Sequence, residues 1–400
     1  MLQNQKADLD MVSRNRNMNR KKESEEGEFR SLFLGMENTI HLAACSQAPM
    51  LKTVWNSQEK YLEDIKEFGN PWELWSEKVE ELRSMIARLI SAHRDEVAIT
   101  FSVSSAFSAL LSGFGKSDER KIVTSDLEYP TTNYIVLAQA KNGWKHETVK
   151  HRNGIISKEQ YASAIGKDTD LTTVVHVSSL NGFKQDLKSI GEICHDRGSS
   201  MYVDCYQSLG TTPIDVKKTG IDFMAGGTLK WLLGMSGTAF LYARKDLAED
   251  LNPSSTGWFS QKEPFKFGAE TLDFADGSRR FESGTWAIPS IYASIEGVRT
   301  IMETGTEFIK AKIEELASYA LETAADMGFR SATPPEEEKR GGIVAIDLEK
   351  PFEMEGILRK KHRIFTSARG NSLRIAPHFY NSREDIATFF DTLVHESHKQ

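Results

Sequence analysis

The chain opens on polar residues with no period, and residues 1–27 are expected to form a tail without a fixed fold. Residues 28–48 are expected to form an N-terminal segment near the active site, and from Leu32 to about Pro49 the chain is apolar and loop-like (HLAACSQAP). From about Pro71, apolar residues fall at helical spacing through WELWSEKVEELRSMIARLIS, which predicts a long amphipathic helix. DEVAITF, starting at Asp95, reads as a short buried strand. The rhythm then alternates over roughly 95–245. Apolar runs such as KIVTS, TTVVHVS and SMYVDC are separated by helical segments such as LKSIGEICHDRG. Strands alternating with helices predict βαβ units and a mainly parallel sheet.

From about 291 the pattern changes. One long helical region leads into the strand GGIVAIDL, then SLRIAPHFYNS and a closing helix, EDIATFFDTLVHES. Ser382 and Asp385 stand at capping-box spacing before that helix, with Asp in place of the usual Glu or Gln. The expected fold class is α/β. A large domain over 49–290 carries a mainly parallel central sheet, and a small C-terminal α/β domain over 291–400 carries an antiparallel one.

Composition narrows the function. A chain of 400 residues is long enough for two domains. Its net charge of −7 argues against a nucleic-acid or anionic-membrane partner. No apolar run approaches the ~20 residues that span a bilayer. The N-terminus has no apolar h-region, and Glu23, Glu25 and Glu26 speak against a transit peptide. Cys45, Cys194 and Cys205 show neither metal-ligand spacing nor a disulfide framework. A cytoplasmic setting and no metal site are expected.

Ligands of parallel sheets bind at the carboxyl ends of strands, so candidate chemistry is sought there. Lys230 follows a Gly-Gly-Thr turn in AGGTLKWLLGMSGTAFLY and has apolar neighbours in Leu229, Trp231 and Leu232. Read blandly, it snorkels to the surface. Read functionally, burial makes its amine a nucleophile towards an aldehyde. Asp204 ends the apolar run MYVD, where a carboxylate is costly without a partner. It is either a turn or cap residue, or the partner of a pyridinium nitrogen. Gln207 could donate to the phenolate oxygen of the same ring. Ser104 and Ser105 stand where a strand, ITF, gives way to a helix. They are plain N-caps or part of a phosphate site. Neither G-x-x-x-x-G-K-[ST] nor G-x-G-x-x-G occurs, which disfavours a nucleotide.

VDCYQSLGTTPIDV, GGTLKWLLGMSGTAFLY, RRFESGTWAIP and LRIAPHFYNS, taken in this order, resemble the class V aminotransferase group of fold-type I enzymes dependent on pyridoxal 5′-phosphate (PLP). The likeness runs from about 40 to 395. That group includes cysteine desulfurases, kynureninase, epimerase-like proteins and carbon–sulfur lyases. The resemblance implies that Lys230 is the Schiff-base lysine and Asp204 the partner of the ring nitrogen. Gln207 then meets the phenolic oxygen, Ser104 the phosphate, and Tyr129 stacks on the ring. Thr285 matches a residue that reaches the phosphate of the other subunit, which implies a homodimer with shared sites. Arg374 matches the arginine that clamps the substrate α-carboxylate.

Several positions depart from the desulfurase pattern. Ser179 replaces an Asn, Leu229 a His, and Gly227 a phosphate-binding Ser whose contact Thr228 is expected to take over. The stretch IFTSARGNSLR lacks the nucleophilic cysteine of desulfurases. Persulfide chemistry is thereby disfavoured. The expected activity is a β-eliminating lyase on an α-amino acid. An aminotransferase is the alternative, followed by an epimerase or a kynureninase-like hydrolase. A cofactor-free binding homologue is the non-enzyme alternative. Cys45 is expected to be simply buried, Trp258, Phe259 and the stretch Phe265 to Phe267 to shape a side-chain pocket or to pack, and Arg280 to pair with Glu282.

Overall fold

The computed structural model describes residues 27–117, 119–268 and 270–399. The tail expected over 1–27 therefore lies almost wholly outside the described residues. β1 (Ile40–His41) opens the strands. Seven more form the central sheet: β2 (Val97–Thr100), β3 (Lys121–Ser125), β4 (Lys145–Val149), β5 (Thr169–Val175), β6 (Ser200–Asp204), β7 (Phe223–Gly227) and β8 (Ala239–Ala243). Their order is β2-β8-β7-β6-β5-β3-β4. β8 is antiparallel to both its neighbours, and the other pairings are parallel, so the sheet is mixed but mainly parallel, as expected.

Strand alternation sends side chains to two separate cores. Met201, Val203, Met224 and Phe240 join the core on one face. Tyr202, Phe223, Ala225 and Leu241 join Phe107 and Leu110 on the other. Asp204 shares the Tyr202 face, because residues two apart on a strand point the same way. The helices that matter for the site are α1 (Lys52–Phe68), α2 (Trp72–Leu89), α3 (Val103–Gly113), α4 (Pro130–Ala138), α5 (Lys158–Ala164) and α6 (Leu187–Asp196).

The helical region expected as one piece from 291 is two helices, α7 (Ile288–Thr304) and α8 (Thr306–Asp326). The break is Gly305, whose φ of +89° is a left-handed conformation that glycine tolerates best. α7 buries Ile291, Tyr292, Ile295 and Val298 in the core of the large sheet. A third core forms beyond the break, where Leu316 and Ala320 of α8 meet the C-terminal sheet. That sheet contains β9 (Val344–Asp347), β11 (Ser367–Arg369) and β12 (Ser372–Ile375), all antiparallel. β10 (Ile364–Phe365) pairs in parallel with β1, tying the N-terminal segment to the C-terminal part. α9 (Arg383–Ser397) closes the chain, with the expected Ser382–Asp385 capping box. Among the described residues, no helix is long and apolar enough to cross a membrane.

The expected Arg280–Glu282 ion pair does not form. Glu282 pairs with Arg83 of α2 at 2.6 Å and also accepts from Ile99 N and Trp286 Nε1. Arg280 instead donates to the carbonyls of Gly277, Glu249 and Leu251. The helical turn over Gly277–Phe281 aims the two side chains at different partners.

Candidate active site

The site gathers where β2, β3, β6 and β7 end. Lys230 lies just beyond β7, whose last residues are Gly226 and Gly227. A Cβ on Gly227 would stand 2.6 Å from the Tyr206 ring, so only glycine lets that ring approach. Tyr206 in turn holds the lysine: Nζ of Lys230 lies 4.2 Å from its centroid and 5.8 Å from that of Tyr129. Among the described residues the amine has no hydrogen bond or ion pair. Burial lowers its pKa to about 8, against the upward pull of Cys45 and Asp204.

Asp204, the last residue of β6, is buried. Its Oδ1 accepts from Tyr206 N at 2.9 Å. Burial raises its pKa, and the Lys230 charge opposes the rise. Two adjoining cavities share Asp204, Tyr129 and Tyr206. One, of about 290 Å³, is also lined by Cys45, Ser179, Gln207, Lys230 and Arg369. The other, of about 230 Å³, reaches Ser102, Ser104 and Gly237 at the N-terminus of α3.

Not every residue singled out in the sequence reaches these cavities. Ser104 does, but Ser105 does not. The helix is capped earlier, by Ser102, and the Ser105 hydroxyl is taken up by the Ser102 backbone. Thr228 is turned away as well. Its hydroxyl is buried against the carbonyls of Met235 and Thr238 and the hydroxyl of Ser294. Thr285 stands exposed ahead of α7 and lines neither cavity. The Gln207 amide donates to the Cys45 carbonyl at 2.9 Å and accepts from Trp231 Nε1 at 2.8 Å. It therefore clamps the N-terminal segment against the lysine loop. Arg374 is buried beside the cavity, donating to the carbonyls of Ser179 and Ser367 and to the Ser367 hydroxyl. Trp258, Phe259, Phe265 and Phe267 pack on one another and on Trp72 and Trp286, away from both cavities.

Three residues of the site were not foreseen. Tyr206 and Ser102 left a readable trace, an Asp-x-x turn and a Ser-x-x-Ser cap. Arg369, whose guanidinium lies 5.9 Å from the Tyr129 centroid, left none.

The description "Aminotransferase class-V" fits residues 43–389. The chain belongs to this family. An uncharacterized aminotransferase, YcbU of Bacillus subtilis (strain 168), is 35% identical over 92% of this chain and 97% of its own. A kynureninase of Bacillus anthracis is 28% identical over 91% of this chain and 90% of its own. Among solved structures, the cystine C–S lyase C-DES in complex with cysteine persulfide superposes with a TM-score of 0.82 at 20% identity, covering 90% of this chain and 98% of that one. The fold is that of fold-type I enzymes, and the class V enzyme uses PLP.

The residues present fit that group. PLP needs an amine for its aldehyde, a carboxylate for its ring nitrogen and a phosphate cradle. The adjoining cavities contain an amine without a partner, a buried carboxylate, and a helix N-terminus with a free serine. When bound, PLP supplies an electron-withdrawing ring that stabilises charge developing at the substrate Cα. The chain's own part is to hold Asp204 desolvated and to bring the Lys230 amine down towards neutrality, with Tyr129 and Tyr206 lining the cavity around both. A lysine near pKa 8 exchanges a proton readily with its surroundings.

Proposed function

We propose that this class V enzyme is a β-eliminating lyase, of carbon–sulfur type, acting on an α-amino acid. The observation that carries the reading is the hairpin before Arg374. Ser367 pairs with Arg374, Ala368 with Leu373 and Arg369 with Ser372, which leaves a tight turn and no cysteine. Nothing on that hairpin can take up sulfur as a persulfide, so sulfur leaves with the product. Cys45 is the cysteine that lines the lysine cavity, and it is held in the N-terminal segment.

In this reading Lys230 binds PLP covalently and moves the substrate α-proton. Asp204 faces the ring nitrogen, Gln207 the phenolic oxygen, Ser104 the phosphate, and Tyr129 the ring face. Arg374 meets the substrate carboxylate by exchanging one of its present bonds, and Arg369 offers a second cation in the same cavity. Ser179 flanks the ring. The working form is a homodimer in which Thr285 reaches the partner's phosphate. With all three cysteines free and buried, a reducing, cytoplasmic compartment suits the protein.

Transamination is the second reading, favoured by the name of the relative at 35% identity. Incubation of the holoenzyme with S-conjugates of L-cysteine separates the two. Pyruvate and ammonia formed in equal amounts, with the thiol released, support elimination. Accumulation of pyridoxamine phosphate, relieved by an added keto acid, replaces it with transamination.

A further inference from the structure

Glu128 is a second buried carboxyl group close enough to act on Asp204; it lines neither cavity, and no role above uses it. It sits one residue before Tyr129 and is buried. Its Oε1 accepts from Thr173 Oγ1 of β5 at 3.1 Å. Its Oε2 is buried and, among the described residues, has no hydrogen-bond partner. Thr173 pairs with Tyr202 and Val175 with Asp204 across β5 and β6. Glu128 therefore lies over the strand next to Asp204, on the face that Asp204 uses.

The groups around it are acids and phenols. Asp204 and Tyr202 face it from β6 and Tyr161 from α5. Burial raises the pKa of both phenols, and a negative charge on Glu128 would push them higher still. Its own turn adds Tyr129 and Asp126. Among the described residues no lysine, arginine or histidine bonds to it. The one cation that acts on the pair, Lys230, acts on Asp204. Two ionised carboxylates cannot share so dry a space without a cation on each. A neutral acid short of one hydrogen bond costs far less than an unpaired buried charge.

We propose that Glu128 is a positioning residue that keeps its proton and so leaves the single negative charge of the pair on Asp204, where the ring nitrogen of PLP needs it. Burial and the Asp204 charge push the Glu128 carboxyl up to about 8, outweighing the Thr173 hydroxyl and the Val175 N–H, which pull it down. The inference rests on the family's cofactor chemistry and is independent of whether the reaction is elimination or transamination.

The test compares wild type with Glu128→Gln, a neutral isostere that can still accept from Thr173. Infrared spectra of both proteins, with and without PLP, are recorded at pH 7 with ¹³C-glutamate labelling. A protonated-carboxyl band is expected in wild type, shifted by the label and missing from the variant. The pH dependence of the difference in thermal midpoint between the two proteins gives a readout that a purely structural contact does not move. The wild type should lose stability relative to the variant as pH rises from about 5 to 8, because its folded state gives up the Glu128 proton late. Absence of the band, or a pH-independent stability difference, would show Glu128 to be ionised and would overturn the proposal. Glu128→Leu separates folding from charge: if it folds and binds PLP, it should follow the Gln variant.

Discussion

At the scale of single residues, the site depends on what burial does to two charges. Lys230 was singled out by the family resemblance that GGTLKWLLGMSG carries, since its apolar neighbours alone fit a snorkelling lysine as well as a buried one; the structure buries its amine. Its neighbours were less legible, since Tyr206 reaches the amine only because Gly227 has no side chain. Thr228 was misplaced for a related reason. The turn that presents Lys230 points the hydroxyl at 228 to the other side, into the carbonyls of Met235 and Thr238. The lowered pKa of Lys230 has a measurable consequence. The amine is neutral, and able to attack an aldehyde, above about 8. Uptake of PLP by the cofactor-free protein, followed by its visible band, should accelerate with pH and level off just above 8. A rate that keeps climbing to pH 10, as for an exposed lysine, would contradict the burial argument.

Single elements divide into those with a clean apolar period and those held by polar contacts. The strands KIVTS and SMYVD and the helices Trp72–Leu89 and Leu187–Asp196 follow the first rule and were legible. Lys52–Phe68 was missed although its apolar residues keep a helical period as well, because it combines that period with few buried apolar side chains. It buries only Val54, Ser57 and Asp64, and its N-cap, Leu51, makes no side-chain bond. Across to α7, Asp64 accepts from the Tyr292 hydroxyl and Tyr61 packs edge-on against the Tyr292 ring, while Lys60 bonds Asp64 within the helix. The Arg83–Glu282 pair is a second polar anchor, fully buried, joining α2 to β2 and to the loop before α7. Removing one partner strands the other charge. Arg83→Met should cost about 3–5 kcal/mol, and the double variant Arg83→Met, Glu282→Gln should recover part of it. Urea unfolding of the three proteins checks this; equal stability of wild type and Arg83→Met would refute the anchor.

On the scale of the whole molecule, the catalytic cavity is built by segments that are far apart in the chain. The Gln207 amide holds the Cys45 carbonyl, and Arg374 holds the Ser179 carbonyl. Gly182, at φ +75°, turns the segment after Ser179 against the C-terminal part, where a Cβ would stand 2.2 Å from the Ile343 carbonyl. Gly182→Ala should therefore lower the unfolding temperature and weaken substrate binding through Arg374, which calorimetry and steady-state KM would register. The general architecture was legible because strand–helix alternation prunes the possible folds. The long-range clamps were not, because no local pattern announces which carbonyl a buried arginine will meet. The proposed homodimer predicts a mass of twice 45.0 kDa by light scattering. It also predicts that Thr285→Val lowers PLP retention without altering the fold, and a monomer with full PLP occupancy would rule it out. The central claim is that one amine, at position 230, carries the cofactor opposite the carboxylate at 204. Borohydride reduction of the PLP-loaded protein, followed by peptide mass mapping, tests it most directly. A single pyridoxyl group on Lys230 is the expected result; the label on another lysine, or on none at saturating PLP, would contradict the account.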